Sequence, residues 1–465
     1  MILRNIIAWL KGVIGRMFGV GQMRRATGAE VTISSEMLTR MELWAKMMQG
    51  NAPWCEKTSL SSISPGVESQ GLEGTICLEF SNTVLSEMDT HVDNEIIDDI
   101  YQKGIKRLNK ALQDGLATGS LVIKPIGTTG EVEFISQDRM VPHEWNADGT
   151  PKRISFIEVK PVGDNDVYYR IEGHHLSDAG LTITNRAFRG ADGQLGREVP
   201  LSIFEEWADL PTEVTYPGMD RMDFGYYVNP LPNRIDGSHS GVSIFDPAVL
   251  QIRKCDIQAY RLDWEMESGE RSIFADYTAI RREEKPGVRA KTFIPKGKER
   301  LFVGVDADDI PITPFSPEFR DANQLNVLNE YRREVEEKVS LAFGDLSREP
   351  ETVAKTATEI LASKIKKFNM VNAIQSNLKD ALEGFAWGIA FYTAQYNSGF
   401  EVVTSFKDSV ITDEDKERNN DRLDLAAGIM SPVEYRMKWY GEDEETANAM
   451  LPVQEVPAGN GEDMM

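Results

Sequence analysis

The feature that most limits this fold is one long helical pattern. From Thr356 onward, Ile360, Leu361, Ile365, Phe368, Val371, Ile374, Leu378 and Leu382 recur with helical period, and Thr356 and Glu359 stand at capping-box spacing. A single helix over 356–397 is predicted, and its apolar stripe has to be covered by other elements. Immediately before it lies "GDLSREPETVAK", which contains Pro350 and has no apolar anchor between Leu346 and Val353. Such a segment is expected to be exposed and mobile. The pattern poses a question: why should a charged loop stand in front of so long a helix?

The rest of the chain alternates between two textures. Residues 30–115 read as helical, with "MLTRMELWAKMMQG" and "DNEIIDDIYQKGIKRLNKALQDGLATG" spacing apolar residues by three and four, and Gly115 and Gly119 closing the second run. From 120 to 235, short runs such as "SLVIKPIG", "RISFIEVK" and "DVYYRIEGHHL" lie between Gly, Asp and Asn turns and predict strands. A helix is then predicted from Asp246 as N-cap, with Pro247 in first position and Gly269 as the stop. Strands over "RSIFADYTAIRR" and "KERLFVGVD" come after it. Next is a helix over "DANQLNVLNEYRREVEEKVSLAF" with Leu325, Leu328, Val335, Val339 and Phe343 on one side. Towards the C-terminus, Gly428 ends one helix, and Ser431, Pro432 and Glu434 start another. The tail after Pro452 reads as disordered. The fold class is α+β.

Charge and composition remove several function classes. The chain has 465 residues, 41% of them hydrophobic, enough for several domains and a sizeable core. Its 74 acidic and 51 basic residues leave a net charge of -23, the wrong sign for gripping a nucleic-acid backbone over a large surface. Cys55, Cys77 and Cys255 are scattered and odd in number, which suggests neither a disulfide framework nor a metal cluster and fits a reducing cytoplasm. In "MILRNIIAWLKGVIGRMFGVGQMRR", Arg4, Lys11 and Arg16 interrupt each apolar run well short of the roughly 20 residues of a spanning helix. An amphipathic arm packed on a neighbouring surface is expected, with a membrane-surface helix as the alternative.

No catalytic constellation stands out. A phosphate-binding loop is missing, because "GVRAKT" near Gly287 lacks the second glycine and the spacing. His91, His143, His174, His175 and His239 form no zinc-type pair at helical spacing, and adjacent His174 and His175 are expected on opposite strand faces, one at the surface and one half-buried. The acidic run "SEMDTHVDNEIIDD" could suggest a two-metal nuclease. Ile96, Ile97 and Ile100 give it a helical apolar face instead, with the carboxylates on the solvated side. A Gly-x-Ser-x-Gly elbow is also missing. One local asymmetry remains between 271 and 300, where nine cations, including Arg281, Arg282, Lys285, Lys296 and Lys298, face four acidic residues. That stretch is either a solvated hairpin or a docking surface for an acidic partner or DNA.

The order of these parts, with four strings in sequence, resembles the portal proteins of tailed bacteriophages. "ALQDGLATGSLVIKP" resembles their helix-to-strand passage in the wing, and "VNPLPNRIDGSHSGVSIFDPA" the segment leading into the first stem helix. "KTATEIL" resembles the start of the helix after the tunnel loop, and "DSVITDEDKERNNDRLDLAAGIMSPVEYR" the stretch before the crown. The likeness covers residues 35–450. It implies an N-terminal arm (1–34), an α/β wing (35–243), a first stem helix (244–270) and a clip (271–315). A second stem helix (316–344), a tunnel loop (345–355), a long wing helix (356–397), a helical crown (398–452) and a tail (453–465) complete the chain. It further implies a homo-oligomeric ring, usually of twelve copies, at one capsid vertex of a virion assembled in the host cytoplasm. Double-stranded DNA would pass through that ring during packaging and ejection.

The implied partners are the terminase large subunit, capsid and scaffolding proteins, and head-completion proteins, with no membrane and no cofactor. On this reading Arg348 and Lys355 would meet DNA from the tunnel loop, while Arg281, Arg282, Lys285, Lys296 and Lys298 would dock the motor at the clip. A nucleic-acid packaging enzyme, nuclease or ATPase, is the competing expectation, and a cytosolic scaffold with no DNA role is a third.

Overall fold

The structure is a computed structural model that describes residues 20–55, 66–127, 130–163, 166–191, 193–268, 272–276, 302–305, 312–315, 321–348, 357–406 and 414–451. It is a mixed helix-and-sheet protein that divides into two compact units, Met1–Ser405 and Phe406–Met465.

Among the described residues the first unit has helices α1 (Val20–Thr27), α2 (Ser35–Met48) and α3 (Leu72–Leu85), then strand β1 (Met88–Val92), α4 (Glu95–Ile105) and α5 (Leu108–Thr118). The long helix expected over 93–119 is therefore two, and the run expected to be wholly helical contains a strand. Asn94 caps α4 by accepting from the Ile96 and Ile97 amides. Asp98, expected on the solvated side, turns back to accept from the Val92 amide at 2.9 Å. Gly119 closes α5 at φ 109, where only glycine is free of strain.

Strands β2 (Ser120–Ile126) and β3 (Glu131–Ser136) form a hairpin, succeeded by β4 (Met140–Trp145), β5 (Pro151–Val162), β6 (Asp166–Ser177), β7 (Gly180–Ala191), β8 (Gln194–Val199), β9 (Glu213–Tyr216) and β10 (Gly225–Val228). Strands β4 to β8 are consecutive antiparallel neighbours in one sheet, with β9 added on β7; β10, β2 and β3 make a second sheet. Met23 and Ala26 of α1 are buried on the first sheet with Val141, Tyr169 and Phe188. Arg153 and Arg186 donate to the Thr27 and Ala26 carbonyls, so residues 20–27 are stitched to the strands they cover.

Asp246 does not cap a helix as expected. It opens a tight turn, Asp246–Ala248, and its carboxylate accepts from the Trp44 indole at 2.8 Å, joining this turn to α2. Helix α6 (Val249–Ser268) is next, then β11 (Ser272–Asp276), β12 (Phe302–Val305), β13 (Ile312–Phe315) and α7 (Asp321–Val339). The three strands form one small sheet in which β11 pairs parallel with β12 and antiparallel with β13. A parallel pair cannot be the two arms of one hairpin, so β11 and β12 are not joined in that way, and residues 277–301 between them lie outside the described residues. Helices α6 and α7 run antiparallel: Lys254 meets Glu334 at 3.4 Å, while Gln258, one turn further on, bonds to Gln324.

Helix α8 (Ala357–Tyr392) is the spine of the main core. The predicted positions Val371, Ile374, Leu378 and Leu382 are buried, joined by Ala381, Phe385, Ala386, Ile389 and Ala390. The helix lies close on β10 because Gly384 and Gly388 face it; a Cβ at Gly388 would stand 2.2 Å from the Asp223 carbonyl. Towards its N-terminal end Ile365, expected in the stripe, is half exposed, as are Leu325 of α7 and, to a lesser degree, Phe343 beyond that helix. The side chains of Ile360 and Leu361, and Thr356 itself, lie outside the described residues. Strand β14 (Val402–Phe406) pairs with β1, so residues expected to begin a helical crown belong by their pairing to the first unit.

The second unit contains α9 (Glu414–Ala426), α10 (Pro432–Tyr440) and α11 (Glu444–Ala449). Ser431 and Glu434 form the capping box expected, and Gly428 turns the chain at φ 74. Its helices are held largely by polar contacts: the Trp439 indole and the Lys438 ammonium both reach Asp421, and Arg436 grips Glu442 with two bonds of 2.8 and 2.7 Å. Among the described residues, no helix is long and apolar enough to cross a membrane.

Candidate functional site: the base of the charged loop

The charged loop leaves α7 through Ser340, whose φ of 63 breaks the helix. A side chain one turn back, that of Glu336, organises the start of the loop. Glu336 is fully buried. Its Oε1 accepts from the amides of Gly344, Leu346 and Ser347 at 3.1, 2.6 and 2.7 Å, and its Oε2 accepts from the Ser347 hydroxyl at 2.8 Å. A buried carboxylate without partners would be strongly unfavourable; here four donors converge on it.

Two further ties hold this segment. Asn329 brackets Arg348 from both sides, accepting from its amide at 2.6 Å and donating to its carbonyl at 2.7 Å. Lys367 of α8 bonds Asp345 at 3.0 Å and Glu79 of α3 at 2.6 Å. Burial opposes the charge on Lys367, but the bonds to Glu79 and Asp345 more than offset it and raise its pKa. Residues 341–348 are thus fastened to α7, α8 and α3, which corrects the expectation of a free segment from 345. Asp345 and Ser347 carry no apolar group, and they are anchored through polar ones.

Of the predicted site residues, Arg348 is exposed at the end of this clasp, and its guanidinium has no partner among the described residues. Lys355 lies outside the described residues. So do Arg281, Arg282, Lys285, Lys296 and Lys298, which fall between β11 and β12.

A second polar centre was not anticipated. His174 is completely buried rather than half-buried, with Nδ1 2.8 Å from Asp223 and Nε2 2.7 Å from Glu172. Its neighbour His175 does point the other way and is half-buried. Glu172 also meets buried Lys124 and, at 2.7 Å, Arg170, while Asp223 accepts from the Tyr392 hydroxyl at 2.6 Å. Burial alone would strip the proton from His174; the carboxylates of Asp223 and Glu172 outweigh it and raise the pKa to about 9. The same cations hold Glu172 well below the usual carboxylate range despite its burial. The centre joins β2, β6, the approach to β10 and the end of α8. Its signal in the sequence was the Glu-x-His alternation at 172 and 174, which places both side chains on one strand face.

In both centres each buried charge is matched by a fixed protein partner, and no three His, Cys, Asp or Glu side chains among the described residues converge as metal ligands. Fold and site together define an α+β protein in which a charged loop is mounted between long helices. The sequence matches no protein-family model and no curated protein.

Proposed function

We propose that this protein is the subunit of a portal-type ring, a non-enzymatic channel through which double-stranded DNA enters and leaves a phage capsid. The observation that carries this reading is the mounting of the charged loop. An antiparallel helix pair, α6 and α7, enters and leaves a small sheet, and the loop then starts from a clasp that links α7 to the 36-residue helix α8. A loop that must meet a moving polymer needs a base that does not give way, and four donors on one buried carboxylate supply it.

The charge balance is consistent with that role. A duplex presents one charge per roughly 1.7 Å, so a strongly basic lining would hold it in place; a net charge of -23 with a few loop cations lets it slide. Arg348 and Lys355 are the proposed DNA-facing cations. In this reading the stretch 271–315 docks the terminase large subunit and later the head-completion proteins through Arg281, Arg282, Lys285, Lys296 and Lys298. Capsid and scaffolding proteins surround the ring.

Electron microscopy of the purified protein tests the proposal. Rings of about a dozen subunits with a central hole wide enough for a duplex are expected; a monodisperse single chain at micromolar concentration would end it. Reversing Arg281, Arg282 and Lys285 together is expected to weaken terminase binding while leaving rings intact.

A further inference from the structure

We propose that the groove between α4, α5 and the β2–β3 hairpin is a docking site for an acidic peptide segment of a partner protein, one carrying an aromatic or aliphatic side chain among its carboxylates. The groove encloses about 860 Å³, within the range of pockets that hold ligands. Arg107, Lys110 and Arg139 line it over a floor that includes Ala111, Phe134 and Ile126.

Two of these cations are pre-set. Arg107 donates from Nη1 to the Val132 carbonyl at 2.9 Å and lies 5.4 Å over the Phe134 ring; Arg139 donates to the Phe134 carbonyl. Each guanidinium is thereby held on β3 with its other N–H groups uncommitted, the arrangement that suits a carboxylate. Arg107, Lys110 and Arg139 have no ion pair among the described residues, in a chain where acidic residues outnumber basic ones by 74 to 51. The nearby carboxylates are otherwise engaged. Glu133 faces Lys124 at 3.5 Å, Asp99 takes Lys103 at 2.8 Å, and Glu131 has its own contact. Asp114 is pushed up to about 6, first by burial and then by Asp138, while Lys110 and Arg139 pull it back down, so it is the groove's own carboxylate against which an incoming acidic segment must compete.

The apolar floor selects a peptide over a bare anion. Ile126, which lines the same groove as Phe134, is 39% exposed, a surface that a hydrophobic anchor would cover. A volume of about 860 Å³ suits a short stretch of chain. This inference does not depend on the channel reading.

Fluorescence anisotropy on the full chain tests it, with a fluorescein-labelled peptide Asp-Glu-Leu-Glu-Phe-Glu-Asp as the probe at low salt. Saturable binding is expected, weakened about tenfold by Lys110→Glu or Arg107→Glu and unchanged by Lys379→Glu, an exposed lysine outside the groove. A peptide with Leu and Phe replaced by Ser should bind more weakly. Lys110 is exposed but one turn from Asp114, so Lys110→Gln, which adds no like charge there, is the companion variant expected to weaken binding at the wild-type urea midpoint. The proposal is overturned by any of three results: no saturation up to millimolar peptide, undiminished binding in folded Lys110→Glu, or displacement by a short DNA duplex in preference to unlabelled peptide.

Discussion

The two buried carboxylate centres of the first unit solve the same problem by opposite means. At Glu172, three cations (Lys124, Arg170 and His174) surround the acid, and Asp223 shares His174 with it. At Glu336, all four donors are neutral, three of them backbone amides. A charge network is strong but demands that every member be present and correctly protonated. A carboxylate wrapped in amides asks nothing of neighbouring side chains except Ser347, so loop residues beyond the clasp can vary without loosening it. The first arrangement welds a sheet to a helix; the second fixes where a loop begins.

The comparison can be broken most forcefully at Glu172. Replacing it with Ala leaves three buried cations facing only Asp223, Glu158 and the more distant Glu133, and urea denaturation should report a loss of about 3–5 kcal/mol. A loss under about 1 kcal/mol would mean that water already screens the network.

Protonation offers the next largest effect, and it is specific to the charged centre. The pKa of His174 rises from 6.5 to about 9 on folding, so its contribution is complete below pH 6.5 and disappears as pH climbs through about 9. Stability should fall by about 3 kcal/mol across that window at most, given about 1.36 kcal/mol per pH unit. His174→Gln should flatten the slope; an unchanged slope in that variant assigns the titration to another group.

The amide-wrapped centre should respond more mildly. Glu336→Gln keeps one acceptor but loses the charge, costing about 1.5–3 kcal/mol. Hydrogen exchange is the sharper measurement here, because protection should drop at Gly344, Leu346 and Ser347 while the amides of β6 keep theirs. Faster exchange throughout the unit would show that the clasp is not local.

The smallest effect on the fold is expected at Arg348. With an exposed side chain, Arg348→Ala should change stability by less than about 0.5 kcal/mol and, under the proposed channel role, lower the yield of packaged DNA. Full packaging by that variant would remove its role at the loop, whatever the state of the clasp beneath.

The contrast between these centres also marks what could be read in advance. The stripe Val371, Ile374, Leu378 and Leu382, the capping box at Ser431 and Glu434, and the C-terminal stop of Gly119 are local patterns, and each occurs where its spacing indicates. His174 was misplaced because Asp223, which it bonds, and Lys124, which balances Glu172 beside it, lie on other elements. The clasp was missed for the same reason: Glu336 looks like one more acid on a charged helix until the chain turns back on it. Asp246 had the right neighbours for a cap, but the Trp44 indole claimed its carboxylate.

Periodicity, caps and turn residues by themselves determined that this chain is α+β and that a charged loop precedes a long helix. These arise from interactions between residues a few positions apart. Which charges are buried, and which part of the loop is fixed, only the tertiary structure decided. A charge tolerates burial only when distant elements bring its partners within about 3 Å, and no spacing along the chain encodes that meeting.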